Sequence, residues 1–209
     1  MHFFYYWYMK LNDSTITFLS QKILAYTDFT TEKLNEIVNH FEICIYHKNQ
    51  YLLKEGEICD FWGFIQHGLI RSYSLKDDGE PYTIGCIYED SFISESLSFI
   101  KRIPSSVNIH ALEDTTLIFI SFEKLQQLFL KYPEFESFAR KLYEDRLAST
   151  KSRLLFRIQL NATDRYCYLL KMQPELIKRV PLKYIASYLG ITDSTLSRIR
   201  RKISRMKLD

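Results

Sequence analysis

The 209-residue sequence predicts an α+β chain: a barrel or sandwich of short strands, then a long helix, then a helix-turn-helix. Three observations predict it. Residues 41–122 alternate short apolar or aromatic runs with turn residues, the pattern of strands at regular spacing. Tyr143, Leu147, Thr150 and Leu154 recur at alternating steps of four and three, the seam of a helix that pairs with another helix. The stretch Leu182–Ile203, LKYIASYLGITDSTLSRIRRKI, reads as a helix, a tight turn and a second helix.

These place four segments in order. Residues 1–13 form an aromatic leader, read as disordered, within which Met9 is an alternative start. Residues 14–132 form the barrel with its flanking helices. Residues 133–160 form the dimerisation helix, and residues 161–209 the helix-turn-helix domain. In residues 14–40, Thr30 or Thr31 can cap a helix with Leu34, Ile37 and Val38 on one face. The strand runs are FEICIY, YLL, FWGFIQ, LIRSYSL, PYTIGCIY, SVNIHAL and TTLIFIS. Turn signals separate them, among them Gly56, Gly68 and Asp78-Gly79, the last a hairpin turn where positive φ is cheap. Asp90–Arg102 breaks the rhythm and reads as a loop with a short inserted helix, a place where ligand pockets are often lined. Pro133 starts the long helix, and Asn161–Asp164 reads as a hinge and cap. The helix over Asp164–Met172 is expected to end at Pro174.

The last two helices carry the sharpest expectation. Leu182, Ile185, Ala186 and Leu189 make one buried stripe, and Gly190 supplies positive φ for the turn. Thr192 caps the second helix, expected over 192–204, and Asp193 suits its positive end. Leu196, Ile199 and Ile203 face inward. Ser194, Ser197, Arg198, Arg201 and Arg205 share the other face, a cationic and hydroxyl-rich surface that suits a DNA major groove. Charge agrees. Residues 1–150 hold 14 Lys+Arg against 21 Asp+Glu, a balance of −7, whereas residues 151–209 hold 14 against 4, a balance of +10. A basic module behind an acidic one points to a polyanion partner, double-stranded DNA, for the C-terminal part.

Other classes find no support in the residues. No run approaches the roughly 20 apolar residues of a membrane span. The start lacks the charged end and aliphatic core of a signal peptide, so a cytoplasmic location and no membrane partner are expected. Cys44, Cys59, Cys86 and Cys167 are scattered and read as buried free thiols, and the five His form no ligand-spaced pair, so no metal is expected. Neither an acid–base pair, a nucleophile triad nor a phosphate-binding loop is visible, so no catalytic residues and no enzyme are expected. The 15 Phe and 15 Tyr fit a filled barrel or an apolar pocket.

The order and spacing of these elements resemble the cyclic-AMP receptor protein/Fnr (Crp/Fnr) family of bacterial transcription regulators over nearly everything after the leader. Lys54-Glu55-Gly56-Glu57 and Phe64–Gly68 followed by Ile70-Arg71 look like the family's paired strands. Phe92-Ile93-Ser94-Glu95 resembles its cyclic-nucleotide cassette corner. Ile185–Gly190 with Thr195–Ile199 matches its helix-turn-helix. The resemblance implies a cyclic-nucleotide-binding-like jelly roll (a double-stranded β-helix) that senses a small effector. It further implies a homodimer paired through the long helices, a winged helix-turn-helix reading a pseudo-palindromic operator, and RNA polymerase as a candidate partner.

The departures refine this. The implied effector site is Ser94, Glu95, Ser105, Ser106 and, on the long helix, Thr150. Ser94 replaces the family's Gly, Lys151 its Ser after Thr150, and Ser105-Ser106 its Arg-Ser pair. With Ser105 where the phosphate-binding Arg would stand, a cyclic nucleotide loses its bidentate partner. The expected effector is therefore unknown and not cyclic AMP, or there is none, and no cofactor is assigned. Within Asp193–Arg198 only Arg198 keeps the family's base-reading place, so a different operator is expected. The chain stops at Asp209, so the wing is expected to be short or absent. On the residues alone, a sensor whose basic module binds a protein stays open; binding insensitive to salt would favour it.

Overall fold

The computed structural model describes residues 11–206, so most of the leader, with Met9, and residues 207–209, where the wing was in question, lie outside it. Helix α1 (Asp13–Leu24) starts one residue ahead of expectation because Asn12 caps it, accepting from the Thr15 N–H at 2.9 Å. Thr30 caps α2 (Thr31–Val38), which buries Leu34, Ile37 and Val38.

Seven strands fall where the turn residues bound them, β1 (Glu42–Tyr46), β2 (Tyr51–Leu53), β3 (Trp62–His67), β4 (Leu69–Leu75), β5 (Pro81–Tyr88), β7 (Asn108–Ala111) and β8 (Thr115–Ile120), while β6 (Phe92–Ile93) is a strand inside the stretch expected to be a loop, where it pairs with β3. They form two four-stranded sheets, ordered β1-β8-β3-β6 and β2-β7-β4-β5, the double-sheet arrangement of a jelly roll. In the first sheet β1 runs antiparallel to β8 with Cys44 opposite Leu117, and β3 runs antiparallel to both β8 and β6. Gly63 permits that packing, since a Cβ there would stand 2.0 Å from the Ile118 carbonyl oxygen. Between β6 and β7 lies the inserted helix α3 (Ser96–Lys101).

Helix α4 (Phe122–Lys131), capped by Ser121, precedes the 27-residue α5 (Pro133–Gln159). Pro133 opens α5, where its missing N–H costs nothing. Four smaller helices follow: α6 (Ala162–Met172), α7 (Pro174–Arg179), α8 (Leu182–Leu189) and α9 (Asp193–Met206). Helix α7 departs from expectation, because Pro174 does not only stop α6 but also starts a new turn at its first position.

The chain divides into two compact units. The first takes residues up to Ser72 and Ile87–Asp145; the second takes Tyr73–Cys86 and residues from Arg146 onward. An aromatic cluster centres the first. Trp62 is fully buried, with the rings of Phe92, Phe138, Phe64 and Phe135 at 5.0, 5.9, 6.2 and 6.2 Å, all edge-to-face. Such pairs add about 0.5–1.5 kcal/mol each beyond area burial. Tyr166, Leu169, Leu176, Val180, Ile185, Ala186, Leu189, Leu196 and Ile199 are buried in the second unit. The thiols need a correction: Cys44 and Cys59 are buried, but Cys86 is half-buried and Cys167 exposed. On α6 the inward positions belong to Tyr166 and Leu169, and Cys167 lies between them in sequence, off their stripe.

Candidate nucleic-acid interface

Helix α8 ends at Gly190 in the left-handed region (φ +68°), whose N–H bonds back to the Ser187 carbonyl, the closing device that glycine permits. The chain turns through Ile191, and Thr192 Oγ1 accepts from the Thr195 N–H at 3.2 Å, starting α9. Leu196 and Ile199 are buried and Ile203 half-buried, which fixes the rotation of α9. The opposite face is then determined by the 100° step of the helix: Asp193, Ser194, Ser197, Arg198, Arg201 and Arg205 are all exposed. Thr192 Oγ1 lies 3.0 Å from both Ser194 Oγ and Thr195 Oγ1, and Arg198 Nη2 donates to Thr195 Oγ1 at 3.2 Å. The face therefore presents guanidinium forks and hydroxyls from a rigid support, the donor chemistry that reads guanine edges and phosphates.

Two supports of this face involve partners outside the helix-turn-helix pattern. Arg165 on α6 donates to the carbonyls of Leu160 at 2.7 Å and Leu189 at 3.0 Å. Helix C-termini leave carbonyls without intrahelical partners, and one guanidinium here serves the chain just after α5 and the last residue of α8. Ser187 on α8 accepts from the Thr83 N–H of β5 at 2.9 Å, and Tyr82 beside it lies under the Arg157 guanidinium at 5.0 Å. Neither Arg165 nor Ser187 carries a local sequence signal for these contacts, because each finds its partner outside its own helix.

Of the seam residues, Leu147 and Leu154 are exposed at 71% and 58%, with Thr150 exposed between them; Ile158, 71% exposed, extends the line by one step of four. Tyr143 differs. It is half-buried against the first unit's core, its ring 5.8 Å from Phe92, and burial pushes its phenol up to about 12.

The cassette residues are engaged in local structure. Glu95 caps α3, its carboxylate accepting from the Ser98 N–H at 2.7 Å. Ser105, buried, closes on Val107 with its Oγ accepting from the Val107 N–H and donating to the Val107 carbonyl, both at 2.9 Å. Ser106 is exposed, and Ser94 is half-buried with its Oγ 4.0 Å from Cys59 Sγ. Arg102 turns away: it donates to the Cys59 carbonyl at 2.8 Å and Asp60 at 3.0 Å, and stacks over Phe122. A cavity of about 290 Å³ in this unit is lined instead by Cys44, Tyr46, Phe61 and Phe119 among others, without any of these cassette residues on its wall.

Comparison with known proteins agrees with this architecture. Residues 44–132 match the cyclic nucleotide-binding domain family. The transcriptional activator protein Anr of Pseudomonas protegens is 22% identical over 172 residues, covering 77% of this chain and 70% of Anr. Among solved structures, the c-di-GMP-responsive global regulator CLP of Xanthomonas campestris shares 20% identity at a TM-score of 0.67, covering 86% of this chain and 94% of CLP. FixK2 of Bradyrhizobium japonicum shares 20% identity at 0.66, covering 79% and 85%, and the Thermus thermophilus catabolite activator protein 17% at 0.54, covering 89% and 88%. The chain therefore carries a cyclic nucleotide-binding domain over residues 44–132, followed by a long helix and a helix-turn-helix, and it shares its fold with these solved structures.

Proposed function

We propose that the protein is a homodimeric, non-catalytic regulator that reads a pseudo-palindromic operator through α9, with a barrel whose effector is not cyclic AMP. The observation that carries the DNA reading is the sorting of α9: Leu196 and Ile199 buried, and Ser194, Ser197, Arg198 and Arg201 exposed together on a unit of net positive charge. Arg198 takes the base-reading role and Arg201 a phosphate, with Thr192 and Asp193 fixing the N-terminus of the helix that enters the groove. The exposed Leu147, Leu154 and Ile158 support pairing of two α5 helices, which sets two copies of α9 on one duplex.

Against cyclic AMP stand Ser105, whose hydroxyl is closed on Val107, and Glu95, whose carboxylate is committed to a helix cap. Arg102, three residues ahead of Ser105, does not replace the missing fork, since its guanidinium is held by Asp60. Selection from random duplex DNA at two salt concentrations tests the reading. The expected result is two inverted half-sites about one helical turn apart, with affinity falling steeply as salt rises. Retention of no duplex even at low salt overturns it. The same selection with cyclic AMP added is expected to return the same motif at the same affinity.

A further inference from the structure

The second unit holds a cavity of about 460 Å³ that neither the exposed face of α9 nor the α5 seam uses. One wall is the C-terminal half of α5, where Arg146, Ser149, Arg153 and Phe156 recur at steps of three, four and three and so share a helix face. The facing walls come from α6 and α8, through Tyr168 and Tyr188. A stripe packing one helix on another is ordinarily apolar and large. Here Ser149, Ser152 and Arg153 are exposed and Arg146 and Phe156 half-buried, so the space stays open to solvent, with two arginines on its border.

The chemistry of the walls is one-sided. No carboxylate lines the cavity. Arg153 donates to Thr150 Oγ1 at 3.2 Å. Burial, and then the charge of Arg153, press the Arg146 guanidinium toward a lower pKa, so the two cations raise each other's cost. Ring edges complete the site: Phe156 and Tyr168 lie 4.8 Å apart between centroids, tilted by 52°. The volume lies within the range of small-molecule pockets, where a few polar groups orient a ligand held mainly by apolar walls.

We propose that this cavity binds a small organic anion, a planar ring bearing a phosphate or carboxylate, with Arg146 and Arg153 on the anion and Phe156 and Tyr168 on the ring. A guanidinium fork matches either anion bidentately, and an anion relieves the repulsion between the two cations. The long helix and two helices of the DNA-reading bundle supply the walls, so an occupant ties them together.

Calorimetric titration of the full chain, without DNA, tests this with three probes: phenyl phosphate, benzoate and inorganic phosphate. A ring-bearing anion is expected to bind at least about tenfold more tightly than inorganic phosphate, and the choice between phenyl phosphate and benzoate names the anion. Arg146→Gln and Arg153→Gln are each expected to weaken it about tenfold or more, the scale of a charge-assisted hydrogen bond. Ser149→Leu fills the cavity without touching charge and is expected to abolish binding, which keeps the test valid should an arginine variant fail to fold. Lys178→Gln, an exposed cation of the same unit, is expected to change nothing. Absence of binding at millimolar probe, inorganic phosphate binding as tightly as the ring anions, or equal weakening by Lys178→Gln overturns the proposal.

Discussion

The two halves of α5 obey opposite rules. Its N-terminal half buries Phe135, Phe138, Ala139 and Leu142 in the first unit's core. Its C-terminal half leaves Leu147, Leu154 and Ile158 more than half exposed. One helix thus finishes one core and then offers an apolar stripe that the protomer does not cover. An exposed stripe of this kind on a long helix is the surface on which the proposed pairing of two α5 helices rests. The same division holds for polar groups. The cassette residues Glu95 and Ser105 are spent on local hydrogen bonds, whereas the α9 side chains point outward.

The largest effect that separates the halves is on stability. Phe138 is fully buried between Trp62, Phe135 and Tyr26, so Phe138→Ala is expected to cost about 3–5 kcal/mol in urea unfolding. A cost below 1 kcal/mol would mean that the N-terminal half does not belong to that core. Acid tests the same unit. Burial, and then the Arg71 charge, push the His110 imidazole down to about 4 from its ordinary 6.5. Between those values the unfolded chain binds the proton and the folded one does not, so stability is full above pH 6.5 and falls as pH drops toward 4. The loss is on the order of 3 kcal/mol, and His110→Gln is expected to flatten that slope in unfolding curves.

In the proposed dimer the C-terminal half answers to association instead. Leu154→Ala removes one side chain from each protomer and is expected to weaken the dimer by about 2–3 kcal/mol in sedimentation equilibrium, with thermal unfolding of the first unit unchanged. An unchanged dimer would move the seam elsewhere. Last, Arg165→Ala frees the Leu160 and Leu189 carbonyls and is expected to cost about 1–2 kcal/mol, read as faster amide exchange in α6 and α8 alone.

Much of this was legible in the residues because the signals were local. Seven of the strands are bounded by their own turn residues, and Thr30, Asn161 and Thr192 cap helices within three residues of themselves. The α9 face was legible because Leu196 and Ile199 fix its rotation. What was not legible depends on distant partners. Tyr143 obeys the seam spacing, but the same spacing serves a helix lying on its own barrel, and Phe92, fifty-one residues earlier, decides which surface it meets. Arg165 finds the Leu189 carbonyl across 24 residues, and Ser187 finds Thr83 across 104. Pro174 stops one helix and starts another with the same ring, and its sequence context does not distinguish the two.

The most direct test of the account is the base profile of Arg198. Binding of the wild type and Arg198→Ala to a panel of operators, each changed at one base pair, is measured by fluorescence anisotropy at fixed salt. The account predicts that the variant loses about 1–3 kcal/mol of discrimination at one position in each half-site and keeps the rest of the profile. A uniform loss over every operator, with the profile unchanged in shape, would contradict base reading by this face and leave Arg198 a phosphate contact.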